Sequence, residues 1–176
     1  MKKLLCFATV LLILSSCNDK QFFISSSEID IVKKANEAYF KGDWEAFKSL
    51  YNEKARIWVN APRLKDTRIT PDQLVDLLKA DIEKYTEYKM GQNPDYEDPG
   101  YSMIIDDEGG KWVTNWITWL GKTRNGKEVI TPVFHSYHFK ENKIEIHFIY
   151  FNALPGYLAT QESDSTGHTG DRKTVR

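Results

Sequence analysis

The stretch from Lys111 to Phe151 limits what this chain can fold into more than any other. Alternation rich in Trp, Val, Ile, Thr and Tyr predicts three long strands, Lys111–Leu120, Glu128–Phe139 and Lys143–Phe151, broken only by turn chemistry. The first break, Gly121–Lys127, ends in Asn125-Gly126. The second, Lys140-Glu141-Asn142, reads as a three-residue hairpin loop that Asn142 closes in the left-handed conformation. Such a sheet has one face to bury, and the helical segments before it are the material that buries it. The expectation is α+β.

Both ends carry something besides this domain. Lys2 and Lys3 precede the apolar run Leu4–Leu14, which is short for a membrane span and has the layout of a secretory signal. Leu14-Ser15-Ser16-Cys17 follows, and it resembles the lipobox of bacterial lipoproteins. The resemblance implies cleavage after residue 16, acylation of Cys17, and export to a lipid-anchored place on the cell membrane or outer membrane. Cys6 leaves with the signal and Cys17 carries lipid, so the mature chain keeps no thiol for a disulfide and must be held by packing. Without Lys2 and Lys3, 24 − 2 = 22 basic side chains face 25 acidic ones, a formal charge of −3. No basic run or basic helix face stands out, which argues against a nucleic-acid partner.

Residues 17–27 read as a tether, with Phe22 and Phe23 available as a staple on the first helix. In Ser25-Ser26-Ser27-Glu28 a serine precedes a glutamate by three, the pattern of a capping box. Ile31, Val32, Ala35, Ala38 and Tyr39 recur at helical spacing until Gly42. Asp43 caps a second helix that turns Trp44, Phe47, Leu50 and Tyr51 inward. Ala55–Asn60 is a short strand. Thr70-Pro71-Asp72-Gln73 joins a capping threonine, a proline at the first helical position and a glutamine that completes the box. The helix it opens is predicted to carry Leu74, Leu77, Leu78, Ile82 and Tyr85 and to run to about Met90. Gln92–Gly100 is loop, Tyr101–Ile105 a strand, and residues 153–176 a polar tail expected to be disordered.

Helix, helix, short strand, helix and a curved antiparallel meander is the order of the nuclear transport factor 2-like superfamily. Ala35–Phe47, with its Gly42-Asp43 corner, resembles that family's first helix pair, and Phe139–Ile144 resembles its last hairpin. The resemblance covers Glu28 to Asn152 and implies a cone, a curved antiparallel sheet wrapped around three N-terminal helices with a pocket inside. Members include ketosteroid isomerase, SnoaL-like polyketide cyclases and proteins that catalyse nothing, so pocket residues and not the fold decide chemistry.

With Phe139 opposite Lys143, His135 falls opposite His147 and Tyr137 opposite Glu145, all on one face. Matching the last hairpin to ketosteroid isomerase puts His135 at the place of its oxyanion-binding acid and turns His147 to the pocket. The same matching puts Val59 at the place of the isomerase's aspartate base and Ala35 at that of its oxyanion tyrosine, which argues against steroid-type enolisation. If the chain is an enzyme, His135 serves as donor or base with His147 and Tyr137 assisting, in cofactor-independent isomerase, dehydratase or cyclase chemistry. Tyr39, Trp58, Val59 and Trp116 are the candidate ligand-contacting residues. His138 is expected on the opposite face and His168 in the tail. Two histidines fall short of the three protein ligands of a catalytic zinc, so no metal and no cofactor are expected. The reading is a lipid-anchored envelope domain that binds a small, largely apolar molecule. Its rival is a non-catalytic module that uses the sheet to form a homodimer or dock an envelope partner.

Overall fold

The computed structural model describes residues 22–91 and 100–166. The predicted signal peptide and Cys17 lie outside the described residues, as does the last part of the predicted tail, 167–176. The order is β1 (Phe22–Phe23), α1 (Ser27–Lys41), α2 (Trp44–Ser49), β2 (Tyr51–Val59), a 3-10 turn (Lys65–Thr67) and α3 (Pro71–Ile82). Then come β3 (Tyr85–Gly91), β4 (Tyr101–Ile105), β5 (Lys111–Thr123), β6 (Glu128–Lys140), β7 (Lys143–Phe151) and α4 (Leu154–Thr166). One curved, unclosed sheet runs β1-β4-β5-β6-β7-β2, with β3 also paired to β5. β2 lies parallel to β7, whereas the other pairings are antiparallel.

Helices cover one face of this sheet. Ile29, Val32, Ala35 and Ala38 of α1 and Leu74 and Val75 of α3 meet Met103, Val113, Ile117, Val133, Tyr137 and Ile149 in one core. Fully burying side chains such as Ile29, Val32 and Leu74 stabilises the fold by about 1.5–3 kcal/mol each. The corner between α1 and α2 forms as its residues dictate. Gly42 takes a left-handed φ of 68°, and the Asp43 side chain accepts the Ala46 amide at 3.0 Å. The Thr70–Gln73 box also closes, with both of its hydrogen bonds present.

Five expectations need correction. The cap of α1 is Ser26, which accepts the Ile29 amide at 3.1 Å. The helix begins a residue later than a Ser25–Glu28 box requires, and Glu28 turns inward to pair with Lys111. Phe22 and Phe23 are not tether but an edge strand on Met103 and Ile104, with Phe23 against the core. The third helix stops at Ile82. Tyr85 and Tyr88 repeat at helical spacing, yet they belong to β3, where an irregularity between Tyr85 and Glu87 lets residues three apart share a face. The tail past Asn152 begins as a helix, α4, which buries Ala159. Gly156 permits this, because a Cβ there would sit 2.8 Å from the Tyr85 hydroxyl.

The fifth correction concerns the last hairpin. Glu141 and Asn142 both take positive φ, 51° and 59°, so the turn has two residues and Lys140 pairs with Lys143. An extra residue in β7 then changes the register between His138 and Phe139, so that Tyr137 pairs with His147 and His135 with Ile149.

Candidate functional site in the cone

Two rows of side chains cross the covered face of the sheet. Tyr101, Asn115, His135 and Ile149 form one, and Met103, Val113, Tyr137 and His147 form the next. His135, Tyr137 and His147 therefore do share the interior, although Tyr137 and not His135 stands opposite His147. Glu145 does not join them. As the extra residue of the bulge it lies on the other face, its Oε2 3.3 Å from His138 Nδ1 without hydrogen-bond alignment.

The three interior rings stack. Tyr137 and His147 lie 4.1 Å apart at 18°, and His135 lies over Tyr137 at 5.7 Å and 11°. His135 Nδ1 is 2.9 Å from His147 Nε2, and His147 Nδ1 is 2.9 Å from the Tyr51 hydroxyl. The result is a relay from Tyr51 to His147 to His135, buried at its first two members and partly buried at His135. His135 Nε2 ends it, sealed from solvent and without a partner.

Proton inventory fixes the direction of this relay. Among the described residues the Tyr51 hydroxyl meets no acceptor but His147 Nδ1, so its one hydrogen is assigned there. His147 then donates through Nε2 to His135 Nδ1, and the remaining His135 proton sits on Nε2. The reverse order would leave the Tyr51 hydrogen unpaired as well. Burial pushes the His135 imidazole down to about 3 and holds His147 well below the usual histidine range, with the charge of His135 adding to the effect at His147. Burial also raises the Tyr51 hydroxyl. All three groups are neutral at pH 7, which makes proton shuttling by these histidines near neutral pH unfavourable. His135 presents a fixed N–H instead, a neutral donor of the kind that polarises a carbonyl.

Beside His135, directly opposite it on β5, Asn115 is 0% exposed, and neither its Nδ2 nor its Oδ1 has a partner among the described residues. Of the other candidate contacts, Tyr39 faces the core and its hydroxyl accepts Trp119 Nε1–H at 3.0 Å. Val59 packs against the core beyond Ile57. Trp58 and Trp116 are not in the interior. Trp58 stacks on Phe148 at 5.2 Å and donates to the Leu64 carbonyl at 2.9 Å. Trp116 is 59% exposed and packs on Phe134 at 4.8 Å. Strand alternation puts both on the outer face, with Trp112, His138, Phe148 and Tyr150.

Tyr51 and Asn115 escaped the sequence reading. Tyr51 looked like the last inward residue of α2 but opens β2, and its parallel pairing with Ile144 carries it under His147. Asn115 had a usable signal: it occupies an inward position between Val113 and Ile117, where strand alternation calls for an apolar residue. Among the described residues no group of three or more His, Cys, Asp and Glu side chains is placed to hold a metal ion.

Comparison with solved structures decides the architecture. PrhC from Penicillium brasilianum superposes with a TM-score of 0.62 at 12% identity, over 80% of this chain and 90% of its own. An NTF2-like protein from Burkholderia xenovorans superposes with a TM-score of 0.55 at 14% identity, over 78% of this chain and 99% of its own. The chain has the NTF2-like cone fold. IdmH from Streptomyces antibioticus, provisionally described as a polyketide cyclase, shares it with a TM-score of 0.58 at 12% identity, over 78% of this chain and 99% of its own. Identities this low carry the NTF2-like architecture and nothing of the chemistry. No protein-family profile matches the sequence, and no curated protein does.

Proposed function

We propose that this NTF2-like domain binds a small, largely apolar, uncharged molecule inside its cone and holds an oxygen of that molecule on the His135 Nε2–H. What supports this is a single buried atom. His135 Nε2 ends a relay in which every other hydrogen is used, and a sealed donor without an acceptor is costly unless something fills the place. A neutral imidazole there binds a carbonyl or hydroxyl oxygen, and it stabilises negative charge that develops on that oxygen should the ligand react. No cofactor is implied.

Mass spectrometry of what co-purifies with the domain, followed by melting shifts with the compounds found, tests the proposal. The expected result is an uncharged hydrophobic compound that raises the melting temperature of the native domain but not of His135→Phe. A shift that survives in His135→Phe would overturn the role of His135.

We further propose that the domain is lipid-anchored at Cys17 on the cell envelope. The support is Lys2 and Lys3, the apolar run Leu4–Leu14 and the Leu14-Ser15-Ser16-Cys17 motif. No helix among the described residues is long and apolar enough to cross a membrane. Cys17→Ser is expected to move the protein from the membrane fraction to the soluble one; unchanged partitioning would end the proposal.

A second reading has its own observation. The outer face exposes Trp116 (59%), Ile130 (60%) and Tyr150 (43%) beside Phe134 and Phe148, an apolar surface fit for a second copy or an envelope partner. Sedimentation of the native chain against Trp116→Ser tests it, and a monomer of unchanged size in both would exclude a dimer through this face.

A further inference from the structure

Two buried asparagines invite comparison. Asn36 of α1 donates its Nδ2–H to the Tyr101 hydroxyl at 2.9 Å, as a structural asparagine should. Asn115 is just as deep, yet both ends of its amide stand unpaired. It lies directly between Tyr101 on β4 and His135 on β6, on the helix-covered face. Opposed residues in an antiparallel pair keep their Cβ atoms about 4.5–5.5 Å apart, so Asn115 and His135 are neighbours on one face, close enough for a single ligand group to answer both.

We propose that Asn115 selects the ligand, and that the ligand carries a carbonyl oxygen beside an N–H or O–H donor, as a lactam or an enolised dicarbonyl does. This deepens the reading of the cone given above and rests on it. The inventory of orphaned groups leads there. His135 Nε2–H and Asn115 Nδ2–H are orphaned donors on neighbouring strands that one ligand oxygen could answer, and Asn115 Oδ1 is an orphaned acceptor that calls for a donor from the same molecule. A plain ketone answers only the donors, and a hydrocarbon answers none. Charge is disfavoured. The one charged side chain fully buried among the described residues, Glu28, is already paired with Lys111, so an ionic ligand would enter without a counter-ion. Asn115 is thus a binding residue that the strand alternation around it would otherwise have filled with an apolar side chain.

The test uses three rigid bicyclic probes of similar size: 3,4-dihydroisoquinolin-1-one, which has C=O beside N–H; 1-tetralone, which has C=O alone; and tetralin, which has neither. Dissociation constants are measured on the native chain and on Asn115→Leu. The native chain should bind the lactam roughly tenfold more tightly than the ketone, and the ketone more tightly than the hydrocarbon. Asn115→Leu should lose the preference for the lactam, keep that for the ketone over the hydrocarbon, and melt a few degrees higher because two unpaired polar atoms are gone. Asn115→Ala serves for the ranking should the leucine not fit.

Equal binding of lactam and ketone by the native chain would overturn the role of Asn115 and leave the cone reading standing. A ranking unchanged in Asn115→Leu would show that water answers the amide, and would also overturn it. If none of the probes binds the native chain, the cone reading falls and this one with it.

Discussion

Both faces of the sheet carry aromatic rings and histidine, two histidines on the covered face and one on the outer, but they do opposite things with them. On the covered face His147 is enclosed, hydrogen-bonded on both ring nitrogens and stacked on Tyr137. On the outer face His138 is only partly covered, lies 4.8 Å from the Trp112 ring, and has Glu145 as a loosely aligned neighbour. On the inner face Asn115 and His147 are fully buried and His135 partly so, and the sealed atoms His135 Nε2, Asn115 Nδ2 and Asn115 Oδ1 stand out because they lack a partner. On the outer face Trp58 and Trp112 donate their ring N–H groups to the Leu64 carbonyl and the Asp106 carboxylate, and His138 Nδ1 is covered without a hydrogen bond, but the exposed rings of Trp116 and Tyr150 keep water within reach. A polar side chain is informative about function where solvent has been removed from it, and much less so where solvent remains.

The same substitution on the two faces measures that difference most directly. His147→Ala removes one partner each from Tyr51 and His135 and opens a void between them, so a loss of about 3–5 kcal/mol is expected from denaturant unfolding. His138→Ala, at a partly solvated pair, is expected to cost at most about 1 kcal/mol. Similar losses at both sites would mean that the relay contributes no more than a surface contact.

Acid titration sharpens the contrast by a smaller effect. The unfolded chain takes a proton on histidine near pH 6.5, whereas burial keeps folded His135 neutral until about 3 and folded His147 neutral well below its ordinary value. Unfolded protein therefore binds more protons in this window, and stability falls as pH drops below about 6.5, by at most about 1.4 kcal/mol per pH unit for each histidine. Above that pH these groups add no slope. Glu28 acts lower down. Burial alone would raise its carboxyl, but the hydrogen bond and charge of Lys111 leave it below the usual 4.5, so its stabilisation is lost only in stronger acid. Melting temperatures of the native chain and of His135→Asn between pH 7 and 5 check this: the native curve should slope and the variant's slope should be shallower. A flat native curve would place the imidazoles in solvent.

How much of this was visible in the sequence depends on what fixed each feature. The start of β5 and the bounds of β7 followed from alternation, and the corner at Gly42-Asp43 and the box at Thr70–Gln73 followed from local caps. The shared face of His135, Tyr137 and His147 also came through, although by compensation. A two-residue turn moved the register one way and the bulge at Glu145 moved it again, so that the histidines stayed together and only Glu145 was lost to the other side. Tyr51 and Asn115 were hidden for different reasons. Tyr51 reaches the site through a parallel pairing of residues nearly a hundred positions apart, which no local pattern encodes. Asn115 is a lone exception to alternation, and only burial shows that the exception has no partner. Trp58 and Trp116 mark the converse failure. Large aromatic rings suit either face of a sheet, and neither pattern nor propensity states which side the helices cover.

The smallest expected effect belongs to Trp116, and its smallness is what makes it useful. The ring is more than half exposed and leans on Phe134 alone among the aromatic side chains, so Trp116→Ser removes little buried area and should leave the folded monomer within about 0.5 kcal/mol of the native one. Affinity for any ligand in the cone should be unchanged, because the side chain lies across the sheet from His135. If copies pair through the outer face, the same substitution cuts into the patch that also exposes Ile130 and Tyr150, and the sedimentation coefficient should fall toward that of a monomer. A drop in ligand affinity with Trp116→Ser would instead couple the two faces. The division between an interior that recognises and an exterior that associates would then no longer hold.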